Sequence, residues 1–378
     1  MPNPGIRARE VSMQKPDSND INVKTPPEAD PTFGDHLSLG AGRALRGVSH
    51  GGLGSAHGKA ILMGEHSVVY GAPAVALPLL DLQTAASVRT SASATITSDL
   101  YTGHISKAPR QLKPVITALR ATADHVGLNI ESCEVVISST IPLERGLGSS
   151  AAVSAAMVRA VSNAAGVTLS AEETFNLVQI AENVAHGTSS GLDAHAVRSL
   201  TPVRFQKGNP TDVEVAKPLT FVIADTGTSG STSAAVNGVR MLREQTPRYV
   251  DSIIESLADL AESSIEALGT GDENKLGTHM YEGQEQLVRL GVSAPALDAL
   301  IEAAHKGDAL GAKLTGSGLG GCVLALAKDQ DHASALIEDF TEAGATRGWK
   351  TSLVPSDLAD EYDQETGLEA LFDNQENA

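Results

Sequence analysis

One stretch constrains the fold more than any other: the alternating run CEVVISSTIPL, beginning at Cys133, passes through ERGLG directly into SSAAVSAAMVRAVSNAAG. Alternation at a period of two predicts a strand, and the Ala-rich run predicts a helix that stops at Gly166, so a strand feeds a helix across Gly146 and Gly148. A helix entered this way aims its first unpaired amides into the turn. The helix dipole adds to their attraction for an anion, and glycine permits a backbone approach that a Cβ would block. Ser149 and Ser150 occupy the first turn, where a hydroxyl can ligate a magnesium ion. Taken alone, the loop is equally compatible with an anion site and with an ordinary serine cap after a glycine turn.

The rest of the chain narrows the partner class. Of 378 residues, 28 are basic and 46 acidic, a net charge of −18 that repels nucleic-acid backbones and anionic lipid and leaves small soluble substrates as the default. The 41% hydrophobic fraction fills a core from aliphatic and alanine side chains, so the fold needs no staples. Cys133 and Cys322 lie in apolar runs and read as core thiols. No apolar stretch is long enough to span a bilayer and no apolar leader opens the chain, so a cytoplasmic protein is expected.

Residues 1–54 are rich in Pro, Gly, Asp and Ser and are expected to form an extension outside the fold. Residues 356–378 carry eight acids and no Lys or Arg, the composition of a solvated acidic tail. Between them KAILMG, AVALPLL, ASVRTSASATITS, LTFVIADTG and CVLALA predict strands. PVITALRATADHVG, AEETFNLVQIAENVAH, VDSIIESLADLAESSIEALG, PALDALIEAAHKG and ASALIEDFTEAG predict helices. Strands and helices without regular βα alternation predict an α+β fold, split near residues 210 to 220.

Three motif matches fail on context. GGLGSAHGKA has the wrong spacing for a Walker loop, and Ala60 stands where Ser or Thr is required. Gly316 to Gly321 matches GxGxxG, but a strand follows it instead of a helix. Gly187 to Gly191 matches GxSxG after a helix instead of a strand; it keeps open a serine hydrolase built from Ser189, Asp225 and His279 as a poor alternative. The same region is more informative through its acids: Glu182 on a helix, His186 one turn on, and Asp193 after a glycine-containing turn. Two carboxylates with distinct roles are what a magnesium nucleotide and an attacking alcohol require, although each taken singly is more often a surface or capping residue. Lys59 enters an apolar strand, where an amine needs an acid or a phosphate. Glu65 and His66 follow; for Glu65 a structural role is the favoured reading.

Together these segments are recognisable. GKAILMGEHSVVYGAPAVALPL from Gly58, PLERGLGSSAA from Pro142 and KLTGSGLGGCVLAL from Lys313, in that order, resemble the GHMP family of small-molecule kinases. ENVAHGTSSGLD from Glu182 and ADTGTSGST from Ala224 extend the likeness over about residues 57 to 350. The resemblance implies a two-domain α+β fold: residues 55–215 like ribosomal protein S5 domain 2, residues 216–355 ferredoxin-like, and an active site between them. It implies ATP and Mg2+, with mevalonate as the acceptor. Gly146, Leu147, Gly148, Ser149, Ser150 and Ala151 would wrap the triphosphate, with Ser150 and Glu182 as metal ligands. Asp193 would be the base for the substrate hydroxyl, and Lys59 would hold Asp193 ionised and neutralise charge on the γ-phosphoryl group. His66 would contact the substrate, and Thr315 and Gly316 would open the third family loop. Dimerisation is common in the family, so a homodimer is carried as analogy. Ser189 stands where many relatives have Pro, and Ser233 where bacterial members usually have Lys. A kinase of the same fold acting on phosphomevalonate or another alcohol, and a non-catalytic ligand sensor, remain the competing readings.

Overall fold

The computed structural model describes residues 51–187 and 189–359. Residues 1–50 of the expected extension and the tail from 360 onward lie outside the described residues. The chain enters on β1 (Gly51–Met63), antiparallel to the long β2 (Ala74–Thr90), with Gly51 to Gly54 in register with Arg89 to Ala86. The expected boundary at residue 54 is therefore corrected: the fold begins by Gly51. A Cβ on Gly52 would come within 2.0 Å of the Ala160 carbonyl, and one on Gly54 within 2.3 Å of that of Ala156. Glycine is what lets this strand lie on helix α2, and it is also why no apolar period betrayed the strand.

β2 is a single strand where two had been expected, because AVALPLLDLQTAASVRT pairs along nearly its whole length: with β1, through two register shifts, along one edge, and along the other with β6 (Val203–Gln206) at its start and β5 (Cys133–Ser139) at its end. With β3 (Thr95–Ser98), β4 (Tyr101–His104) and β7 (Asn209–Asp212) these strands form one sheet in the order β4-β3-β5-β2-β6-β7, with β1 paired to β2. Against it pack α1 (Lys113–Val126), α2 (Ser149–Ala164), α3 (Ala171–His186) and the short α4 (Leu192–Ala196). The ends obey local chemistry. Gly127 closes α1 in the left-handed region, and Ser170 with Glu173 makes a capping box at the start of α3. In α2 the buried face is alanine (Ala151, Ala152, Ala155, Ala156, Ala160), which brings its axis close to the sheet.

The second sheet comprises β8 (Leu219–Asp225), β9 (Gly311–Thr315), β10 (Cys322–Ala327) and β11 (Arg347–Leu353) in the order β11-β8-β10-β9, each neighbour antiparallel. Fourth, first, third, second is the ferredoxin-like order. Its helices are α5 (Thr232–Gln245), α6 (Pro247–Thr270), α7 (Glu273–Arg289), α8 (Pro295–Lys306) and α9 (Gln330–Glu342). β9 and β10 are buried along their whole length; for β10 this is why CVLALA reads as a continuous apolar run, whereas β9 carries Lys313 and Thr315 and gave no such signal. The residues Ser356 to Ala359, assigned to the tail from composition, pack on the fold: Ser356 accepts a hydrogen bond from the Val215 amide (3.2 Å), and Ala359 is buried. Among the described residues no helix is long and apolar enough to cross a membrane.

Candidate active site

The site is assembled where the two sheets meet. Lys59 lies in β1 with its backbone amide bonded to the Leu147 carbonyl (3.0 Å), so the strand and the glycine loop are tied before any side chain acts. Its aliphatic stem runs beneath Gly148, where an added Cβ would sit 2.8 Å from Lys59 Cγ. Gly148 also has φ 73°, so both conformation and space require glycine there. Nζ emerges 3.1 Å from Asp193 Oδ1. Asp193 stands in the first turn of α4, launched by Gly191 in the left-handed region. Lys59 is 3% exposed and Asp193 33%, so the ammonium is enclosed while the carboxylate opens outward.

At the start of α2 Gly148 is the N-cap and no side chain caps the helix. Ser150 Oγ donates to Glu182 Oε1 (2.7 Å), and Ser149 Oγ is buried with no hydrogen-bond partner. The plain serine-cap reading is thereby not realised, and the first amides of α2 carry no side-chain acceptor. Glu182, in the penultimate turn of α3, is 1% exposed. Burial pushes its pKa up and nearby Asp193 adds to this, against the Ser150 bond, His186 and Lys59. His186 Nε2 lies 3.8 Å from the second Glu182 oxygen. Ala151 is fully buried, and Gly146, with φ 79°, packs backbone to backbone on Gly316, where an added Cβ would come within 2.9 Å of Gly146 Cα.

The contacts between the glycine loop and the third loop were the least legible. Arg145, one residue before Gly146, grips Asp225 (Nε to Oδ1 2.8 Å) and the Gly227 carbonyl (3.1 Å), joining the loop to β8. Lys313 of β9 donates to Glu65, both completely enclosed. Thr315 Oγ1 accepts from the Ile61 amide (2.8 Å) and donates to the Ile61 carbonyl (3.1 Å), so its hydroxyl is committed to β1. His66, held at φ 61°, donates from Nε2 to the Ser317 carbonyl (2.9 Å), and burial lowers its pKa. Lys313 and Arg145 had no sequence signal beyond being charged residues next to glycine motifs.

The hydrolase constellation is not assembled. Asp225 is spent on Arg145, His279 meets Ser264 (3.4 Å), and Ser189 Oγ accepts from the Gly191 amide (3.4 Å). The Walker-like residues His57 to Ala60 lie inside β1, and Gly316 to Gly321 connects β9 to β10. Ser233 is exposed in the first turn of α5, its hydroxyl 3.2 Å from that of Ser231.

Comparison with known proteins identifies the family. The models of the GHMP kinases N terminal domain and of GHMP kinases C terminal match residues 113–200 and 264–346. The mevalonate kinase of Thermococcus gammatolerans is 35% identical over 317 residues, covering 78% of this chain and 94% of that protein. That of Pyrococcus horikoshii is 36% identical over 306 residues, covering 75% and 90%. Among solved structures, L. major mevalonate kinase in complex with R-mevalonate superposes with a TM-score of 0.73 at 26% identity, over 82% of this chain and 98% of that one. With both family models matched and nearly the whole length of these relatives spanned, the chain belongs to the GHMP kinase family and sorts among its mevalonate kinases.

Proposed function

We propose that the chain transfers the γ-phosphoryl group of ATP to the primary hydroxyl of mevalonate, giving 5-phosphomevalonate and ADP. The observation that carries this reading is the Lys59–Asp193 contact, placed beside an uncapped helix start and an enclosed hydroxyl–carboxylate pair. We also read the chain as two domains that join between Asp212 and Leu219, with this site in the seam.

The donor set fits a magnesium nucleotide. Ser150 and Glu182 offer hard oxygens, and among the described residues no group of three or more His, Cys, Asp or Glu could hold a metal by itself. That suits an ion which keeps phosphate oxygens and waters in its shell. Ser150 and Glu182 would hold it, and when bound it supplies charge neutralisation across the β- and γ-phosphates.

The chain's own residues then divide the work. The amides from Gly146 to Ala151 receive the triphosphate, the unpartnered Ser149 hydroxyl donating alongside them. Asp193 accepts a hydrogen bond from the acceptor hydroxyl, orients it toward phosphorus and takes its proton as the new O–P bond forms and the bond to ADP breaks. Lys59, three ångströms away, holds the Asp193 carboxylate in position and offsets the negative charge on the transferring group. His66 would contact mevalonate, and the loop from Thr315 through Gly316 would do so through its backbone, the Thr315 hydroxyl being committed to Ile61.

An ADP-release assay across mevalonate, phosphomevalonate, homoserine and galactose tests the reading. Turnover confined to mevalonate is expected. Preference for another alcohol would move the chain within the family, and absent turnover with intact nucleotide binding would make it a sensor.

A further inference from the structure

Behind the helix that carries Asp193 lies a cavity of about 630 Å³ that the reaction does not use. Its walls come from the later turns of α2, the start of α3, the segment of α4 that continues to Arg198, and the β6–β7 hairpin. Asp193 and His195 are two residues apart on a helix, so they project to different sides: Asp193 to Lys59, His195 to the cavity. His195 stacks on Phe175 with ring centroids 4.2 Å apart.

The cavity holds two arginines. Arg198 Nε donates to the Ala194 carbonyl (2.8 Å) and Nη1 to the Ala171 carbonyl (3.0 Å), which staples α4 to the first turn of α3. Among the described residues no carboxylate pairs with it. Arg159, whose Nη1 donates to the Ser55 carbonyl (2.5 Å), stands on the α2 wall. Burial, and after it the Arg159 charge, pull the Arg198 pKa down to about 10. The acid in the lining is Asp212, 3.5 Å from the Ser199 hydroxyl. Val167, Leu169 and Val203 supply apolar wall, and Thr168 contributes an exposed hydroxyl.

A half-buried guanidinium whose hydrogen bonds go to neutral carbonyls and whose carbon lies 6.0 Å from the Phe175 ring centroid, with a second guanidinium near, is an arrangement that an anion relieves, and the guanidinium fork matches phosphate oxygens. A partly open concave space of this size, about half apolar and with converging donors, has room for a small ligand. We propose that the cavity is a second ligand site, for a small phosphate monoester whose phosphoryl group meets Arg198 and Arg159 and whose short aliphatic body rests on Val167, Leu169 and Val203. Because Arg198 bonds the carbonyl next to Asp193 and ties together the helices bearing Asp193 and Glu182, occupancy alters turnover. That second half rests on the proposed role of Asp193; the binding half does not.

The experiment uses the full chain, with the active site filled by a non-hydrolysable ATP analogue, magnesium and mevalonate, titrated calorimetrically with n-butyl phosphate. One site is expected, weakened about tenfold or more by Arg198→Gln and by Thr168→Glu, the latter leaving the Arg198 bonds in place. Turnover at saturating n-butyl phosphate is expected to change at least about twofold in kcat with KM for ATP unchanged, and to stay constant in both variants. Loss of binding when the active site is filled, or equal binding in wild type and variants, overturns the site. Binding seen only after Asp360, Glu361, Asp363 and Glu365 are replaced by amides assigns the cavity to the chain's own acidic tail and likewise overturns it. Binding without a change in kcat overturns the coupling.

Discussion

Two lysine–carboxylate pairs sit close together in this molecule and do opposite things. Lys313 and Glu65 are 0% and 1% exposed, whereas in the Lys59–Asp193 pair the acid is 33% exposed. Burial pushes the pKa of Glu65 up and that of Lys313 down, and their mutual contact is what opposes it, with a second Glu65 oxygen left buried and unpartnered. Such a pair joins the turn after β1 to β9 and has no room for a reactant. Asp193 has one oxygen engaged and a face toward solvent, which is what a group that must receive an alcohol needs. Charge alone does not distinguish structure from chemistry; access does.

The comparison breaks most visibly at Asp193. Asp193→Asn is expected to lower kcat by roughly 10² to 10⁴ fold, with thermal unfolding nearly unchanged. Steady-state kinetics beside calorimetric scanning checks both halves, and normal turnover would remove Asp193 from the role of base. Lys313→Met is expected to act the other way, costing about 3 to 5 kcal/mol of stability by leaving Glu65 buried without its cation. Denaturant unfolding measures this, and adding Glu65→Leu should recover most of the loss; no recovery would mean that the pair is not the unit.

His57, two residues before Lys59 on β1, sharpens the contrast by pH. Burial holds its pKa down to about 4 from an ordinary 6.5, so between those values the unfolded chain binds a proton that the fold refuses. Stability from this group is full above about pH 6.5 and is lost as pH falls through 4, a change of roughly 3 kcal/mol. His57→Gln should flatten that part of the stability profile, and an unchanged acid limb would contradict it. A smaller effect is expected at Glu182. Its raised pKa makes it take up a proton more readily in the fold, so its contribution to stability declines as pH rises above the ordinary carboxylate range, while magnesium needs it ionised. The thermal stabilisation by a magnesium–ATP analogue should therefore be larger at about pH 7.5 than at about pH 5.5, and Glu182→Gln should remove the difference.

Much of this was legible in the chain because local chemistry and fold agree. The alternating strand before Gly146, the alanine helix after it, and the capped helix from Ala171 each declared themselves by period and ends. What escaped had a physical reason. Helix α7 turns glycines inward, Gly277 against the Leu310 carbonyl and Gly283 against Met63, and buries Gln284, so the stripe of Leu276, Met280 and Leu287 is interrupted and periodicity detects it poorly. The Lys313–Glu65 pair spans 248 residues, and no spacing rule reaches across such a gap. Of the candidate site, the glycine loop and the two acids were visible as motifs. The commitment of the Thr315 hydroxyl to Ile61 and the clamp of Arg145 on Asp225 follow only from how the two sheets meet.

The central claim is that the enclosed ammonium of Lys59 acts on the reacting groups and not on nucleotide capture. Lys59→Met, measured for kcat with mevalonate and for calorimetric affinity toward the magnesium–ATP analogue, addresses it directly. A fall in kcat of roughly 10² to 10³ fold with affinity changed only a few-fold is the predicted result. Near-normal kcat with affinity lost would contradict it.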